Sequence, residues 1–261
     1  IPSLLLADYL IKLNPQNYRI IFPAAGICAT LACIFYSQIR VPSPQERLAR
    51  PRMSIRGGLR KVREVFTDNK GFRYFQIAFF LSGSAFFMSH HIALMLIEDR
   101  FALEPDQLTL IFVVVPLLLL TVGSPLWGRI LDRFGIGHCR LIIAILLTLY
   151  LSCYLLGLWS GALVWLVFAG ILKGVTNGGG HVTWYLGSSH FAPHPDEVPT
   201  YHGIHLLLNG ARGLLMPWIG LQLYFVIGQW AILVAMLISL LAAPVSLRLM
   251  NLGRRDAQPI D

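Results

Sequence analysis

Seven blocks of about twenty consecutive, predominantly apolar residues run through this chain, at 18–39, 74–97, 107–127, 141–159, 162–186, 203–222 and 226–247. A helix needs roughly 20 residues to cross the ~30 Å hydrocarbon core of a bilayer. In that medium every backbone N–H and C=O must be paired within the structure, which selects helices over open strands. Composition agrees. Hydrophobic residues make up 56% of the chain and charged residues 13%, about half of what a soluble domain needs to clothe its surface. The sequence therefore predicts an all-α, polytopic membrane helical bundle with about seven transmembrane helices in the chain. The 15 Phe, 9 Tyr and 6 Trp are expected mostly on lipid-facing and interfacial surfaces.

Charge placement sets the expected topology. Ten Lys or Arg lie between Arg40 and Arg73, three in 129–140 and three in 248–255. If the seven spans alternate, all sixteen fall on one side, against Lys12, Arg19 and Arg100 on the other. The positive-inside bias makes the basic side cytoplasmic, with the amino end outside, the carboxyl end inside and the protein multi-pass in the cytoplasmic (inner) membrane. Between the first span and the rest, Val41-Pro42-Ser43-Pro44 reads as extended chain. Beyond it, Ile55, Leu59, Val62 and Phe66 recur at helical spacing among Arg56, Arg60, Lys61 and Arg63. Such a basic amphipathic helix suits either a plain cytoplasmic linker or a lipid-headgroup contact at the inner surface. Without an aromatic–basic interleave, nucleic acid is not an expected partner. The chain opens on Ile1 within an apolar stretch and without an initiator Met, which reads as a fragment cut in or just after a preceding helix. Cys28, Cys33, Cys139 and Cys153 lie in spans or at a membrane edge, so no disulfide framework is expected.

One polar octapeptide joins the third and fourth spans: Gly128-Arg129-Ile130-Leu131-Asp132-Arg133-Phe134-Gly135. It resembles the G-x-x-x-D-R-x-G signature of the major facilitator superfamily, a large class of secondary transporters. One span, a long basic loop and six further spans are similar to helices 6–12 of a twelve-helix facilitator, with the signature in its degraded second position. The resemblance implies a boundary scheme of 1–39 for the end of an amino-terminal bundle (a tail of helix 5, then helix 6), 40–73 for the central cytoplasmic loop and 74–261 for a carboxyl-terminal six-helix bundle. It also implies a missing amino-terminal half of the same polypeptide. In this scheme Gly128, Asp132, Arg133 and Gly135 form a cytoplasmic gate motif: Gly128 for close helix approach, Asp132 facing the positive end of a neighbouring helix, Arg133 pairing with an acid or lipid phosphate, Gly135 for a tight turn. The family pattern would continue with two basic residues, whereas this chain has Ile136-Gly137-His138-Cys139-Arg140. The stretch from Phe191 to Gly213 is similar to the helix 10–11 connection of some bacterial facilitators.

Ionisable residues inside a bilayer cost at least about 2.5 kcal/mol each on insertion scales, so they point to a pathway. Lys173, Asn177 and His181 follow one another at steps of four on one helical face, which Trp184 extends. His205, Asn209 and Arg212 form a second stripe on the next span, and His90 lies in the outer half of the span 74–97. These eight residues are the expected substrate pathway, although interhelical hydrogen bonding alone would also account for both asparagines. No Asp or Glu falls inside a complete span. The counter-charge for Lys173 and Arg212 must then come from the missing half, from a helix carboxyl end, or from an anionic substrate.

The leading reading is a secondary active transporter of a small solute, anionic if it supplies the counter-charge for Lys173 and Arg212, working by alternating access and driven by a proton, Na+ or the solute's own gradient. It is not an enzyme and needs neither a cofactor nor a metal. Two other readings stay open. One is a membrane-embedded redox or metal enzyme using His90, His181 and His205; the other is a six-helix half acting as a homodimer. Nothing in the sequence selects the substrate.

Overall fold

The computed structural model describes residues 9, 14–38, 55–101 and 103–256. The expected helix tail at 1–13 (apart from Tyr9) and the Pro-rich stretch 41–44 lie outside the described residues. The chain divides into two units, 1–54 and 55–261. In the first, a single 3-10 turn (Pro15–Asn17) leads into α1 (Tyr18–Ser37). Ile27 and Phe35 of α1 are exposed, as the side chains of a lone apolar helix must be.

The second unit is built of helices joined by short connections, with no strand among its described residues. It comprises α2 (Ile55–Asp68), α3 (Lys70–Phe101), a short α4 (Pro105–Thr109), α5 (Val115–Ser160), α6 (Leu163–His190), α7 (Val198–Ile227) and α8 (Trp230–Asp256). Four long apolar stretches of it are each sufficient to cross a membrane once, and a fifth, Asp106–Ser160, is 55 residues long. At 1.5 Å per residue that stretch is more than twice the thickness of the hydrocarbon core. Gly135 resolves the excess: φ 79° and ψ 173° break the helix there into arms 115–134 and 136–160. A residue with a Cβ rarely adopts that backbone, so glycine at the fold-back is required. Six crossings follow in this unit. The octapeptide is accordingly not the loop expected between spans ending at 127 and starting at 141. All of it but Gly135 is helix, because hydrocarbon-side pairing continues until the chain has to reverse.

Close packing of α5 on α6 depends on small residues. A Cβ on Gly170 would meet the Ile111 carbonyl oxygen at 2.5 Å, and one on Gly174 would meet Pro116 Cα and O at 2.7 Å. Residues at i, i+4 and i+8 share a helical face, so Gly170, Gly174 and Gly178 form a groove into which the neighbouring backbone fits. The indole of Trp127 lies over Gly178 and Gly179, where a Cβ would meet its ring at 3.2 and 2.7 Å, and its Nε1 donates to Val175 O at 2.9 Å. Proline shapes the same contact. Pro116 has no N–H for the Phe112 carbonyl four residues before it, the helix there widens into a single π turn (Leu110–Val114), and Lys173 Nζ donates to Phe112 O at 3.3 Å.

At one end of the bundle an aromatic cluster gathers the helix starts and ends. Phe72 sits among Phe66, Phe191 and Tyr201 with ring centroids 5.9, 6.2 and 4.7 Å away. Asn69 caps α3, its Oδ1 accepting from Phe72 N at 2.8 Å while Nδ2 donates to Phe191 O at 2.8 Å. The amphipathic helix α2 docks here through Val65, Val62 and Phe66, whereas Leu59 of the expected apolar stripe is exposed. Outside the core, Leu214, Val226 and Phe225 are exposed, a surface that suits lipid rather than water.

Gly174→Val is expected to destabilise the bundle by at least the about 1–3 kcal/mol of ordinary overpacking, since the clash is with backbone. Gly210→Ala, where a Cβ meets nothing within 4 Å, should be neutral or slightly stabilising. Thermal unfolding of both variants in detergent checks this, and equal melting temperatures would refute the groove.

Candidate functional site

A cavity of about 330 Å3 opens between α3, the 136–160 arm of α5, α6 and α7. Its wall is largely apolar, with Phe79, Phe86, Phe87, Ile143, Leu147 and Trp184, and carries Ser82, Thr176, Asn177 and His181 as polar groups. Two cations face it: Arg140 and Arg212, 2% and 4% exposed.

Both guanidinium groups are anchored to one turn of α3. Arg140 Nη2 donates to Ala78 O at 3.2 Å and to Ser82 Oγ, and its Nη1 donates to Thr183 Oγ1 of α6 at 3.4 Å. Arg212 Nη1 donates to Phe79 O at 2.6 Å, and its Nη2 donates to Asn209 Oδ1 one turn earlier on α7. The two lie over the Phe79 ring, 4.7 and 4.8 Å from its centroid, so their charges are within about 10 Å of each other. At an effective dielectric constant near 20 such a pair repels by roughly 2 kcal/mol. Among the described residues no carboxylate pairs with either, and both Nε atoms are buried without a partner. Gly83 makes room for this arrangement, because a Cβ there would overlap the Arg212 guanidinium.

The expected pathway residues divide into three groups. Asn177, His181, Trp184 and Arg212 line the cavity. Asn209 and His205 stand behind it: Asn209 holds Arg212, and His205 is buried between Phe75 and Phe79 with Nδ1 3.2 Å from Gln76 Oε1. Lys173 and His90 are elsewhere. Lys173 serves the Phe112 carbonyl, and His90 stacks on Phe86 with ring centroids 5.7 Å apart. Within the octapeptide, Asp132 and Arg133 are exposed, Arg133 lies over the Phe134 ring at 5.2 Å, and a Cβ on Gly128 would meet nothing within 4 Å. A second hollow, about 960 Å3 and bordered by Lys70, Gly135, His138, His190 and Met250, opens at the end where α2 docks.

Sequence reasoning missed Arg140 by assigning it to a basic loop. Its signal was present: Arg140, Ala144, Leu147, Leu151, Tyr154 and Leu158 recur at helical spacing, and the structure buries all six. Gln76, Phe79 and Gly83 carried no such signal, since their importance comes from what approaches them across the bundle.

The family model described as Major Facilitator Superfamily matches residues 77–260. The chain belongs to the major facilitator superfamily. Comparison with curated proteins and with solved structures gives no significant match. As a facilitator it is a multi-pass secondary transporter, working in a lipid bilayer on a small-molecule substrate, and the family consists of transporters rather than enzymes. Among the described residues no three His, Cys, Asp or Glu side chains converge as ligands.

Gly83→Ala is expected to cost no more than about 1–2 kcal/mol, because what it displaces is the end of a long side chain rather than backbone. The Arg212–Phe79 bond is lost in this variant. Thermal unfolding in detergent checks it; a loss of stability well beyond that figure would show that Gly83 does more than leave room for Arg212.

Proposed function

We propose that this facilitator carries a small anionic solute, bound in the cavity between Arg140 and Arg212. The observation that supports the reading is the pair of buried guanidinium groups with no carboxylate against them among the described residues. Buried charge without a partner is costly, and an anion entering the cavity removes that cost for both groups at once. Asn177, His181 and Trp184 face the same space, with His205 and Asn209 positioning the wall; Lys173 serves the Phe112 carbonyl and His90 stacks on Phe86 of its own helix.

In this reading residues 74–261 act as the carboxyl-terminal bundle, 40–73 as the central loop and 1–39 as the end of the amino-terminal bundle, with the other half of the same polypeptide closing the cavity. Alternating access comes from rocking of the two bundles. Gly128, Asp132, Arg133 and Gly135 border the end where α2 docks, and they serve there as a latch that forms and breaks with the cycle. A proton or Na+ gradient is the coupling source. The basic α2 end faces the cytoplasm of the cytoplasmic (inner) membrane, in line with the positive-inside bias.

Uptake into proteoliposomes holding the full-length protein tests the function. An anionic solute should accumulate where a neutral isostere does not, and Arg140→Gln or Arg212→Gln should lower its uptake about tenfold or more. Undiminished anion uptake in both variants would sink the reading. Orientation has its own test. Gly58→Cys, in a background without other cysteines, should react with a membrane-impermeant thiol reagent only from the cytoplasmic side; reaction from outside would invert the topology.

A further inference from the structure

We infer that the anion is a small aromatic carboxylate, its carboxylate between Arg140 and Arg212 and its ring against Phe86, Phe87 and Trp184. This rests on the anion-carrier reading above and narrows it. A guanidinium has five N–H donors. Arg140 spends three on Ala78, Ser82 and Thr183, and Arg212 two on Phe79 and Asn209. Both Nε–H groups are buried without a partner, which leaves three Nη–H donors on two fixed planes, one on Arg140 and two on Arg212. That is more than enough for the two oxygens of a carboxylate, which guanidinium groups engage in parallel pairs.

The rest of the wall excludes the other common anions. Around the two cations the cavity presents mainly rings and aliphatic side chains. A hydroxylated sugar acid, or a fully hydrated oxyanion such as phosphate, would leave several oxygens facing carbon, and each unmatched oxygen weakens binding. A short aliphatic acid satisfies the charge and leaves the apolar wall unfilled. A flat ring uses both parts. Phe86 and Phe87 are half-buried neighbours on α3 with centroids 5.8 Å apart and planes at 74°, so they offer a ring both an edge and a face. Arg212 already lies 5.3 Å over Phe87, and an aromatic acid bound to Arg212 is thereby brought beside that ring. The volume of about 330 Å3 sits at the lower end of small-molecule sites, about 300–1,000 Å3. Trp184 adds its indole ring to the same wall.

The test uses full-length protein in lipid nanodiscs, with tryptophan fluorescence and isothermal titration as readouts. Probes are benzoate, cyclohexanecarboxylate, benzamide, acetate and inorganic phosphate. Benzoate should bind at least tenfold more tightly than acetate, phosphate or cyclohexanecarboxylate, and should perturb a fluorescence signal that Trp184→Phe removes. Benzamide, the neutral isostere, should not bind measurably. Phe87→Leu should weaken benzoate several-fold and leave acetate unchanged, and because it keeps both cations it remains informative if an arginine variant fails to fold. If acetate or phosphate binds as tightly as benzoate, or cyclohexanecarboxylate equals it, the aromatic assignment is overturned while the anion reading stands. If no anion binds, or if Arg140→Gln and Arg212→Gln fold and bind benzoate as the native chain does, the anion reading itself falls.

Discussion

Two adjacent carbonyls on α3, those of Ala78 and Phe79, hold the guanidinium groups of Arg140 and Arg212. Every helix around the cavity is tied to this point. Arg140 arrives from the second arm of α5 and reaches across to Thr183 on α6, Arg212 arrives from α7, and the Phe79 ring lies beneath both. In water such bonds would exchange with solvent and contribute little. In hydrocarbon a guanidinium has nowhere else to donate, and a helix carbonyl still has a free lone pair after its own i+4 bond. The arrangement fixes four helices with two side chains while leaving a concentrated positive charge facing the cavity.

The bundle around that point is held by geometry rather than by the hydrophobic effect, which has no force between helices already surrounded by lipid tails. Small residues let backbones approach: Gly174 against Pro116, Gly220 against Met88, Gly137 against Met250, each with a backbone atom within 3 Å of where a Cβ would be. Proline disturbs one ladder and a lysine repairs it. Pro116 gives the Phe112 carbonyl no N–H, and Lys173 supplies one from α6. The long α5 would overrun the bilayer without a break, and Gly135 provides it in a backbone conformation that other residues resist.

Much of this was legible in the sequence because lipid imposes so simple a rule. Runs of apolar residues gave crossings to within a few positions, as for 162–186 against Leu163–His190 and 74–97 against Lys70–Phe101. The octapeptide carried the family, which the match over 77–260 bears out. The cavity was half legible. A stripe at steps of four says which residues share a face, and Asn177, His181 and Trp184 do face one space. It does not say which neighbour that face meets, and Lys173, on the same stripe, meets a carbonyl instead. Arg140 was obscured by a boundary drawn five residues late, since a cation just outside an apolar run is normally a loop residue. Its true place depends on where the helix restarts after Gly135, a matter of backbone conformation that composition does not record.

The contrast between Lys173 and the two arginines is chemical rather than positional. All three are buried cations, and among the described residues none of them is paired with a carboxylate. An ammonium is a compact point charge with three donors, and a single carbonyl near a proline is a site of matching size. A guanidinium is a rigid fork of five, so it can satisfy carbonyls and hydroxyls that hold the bundle and still present a planar donor edge to a guest. Lysine at 140 would keep the charge but could not span Ala78, Ser82 and Thr183 as the fork of Arg140 does. A membrane position that must fasten several helices at once therefore favours arginine, and among the described residues the two buried arginines are the two that face the cavity.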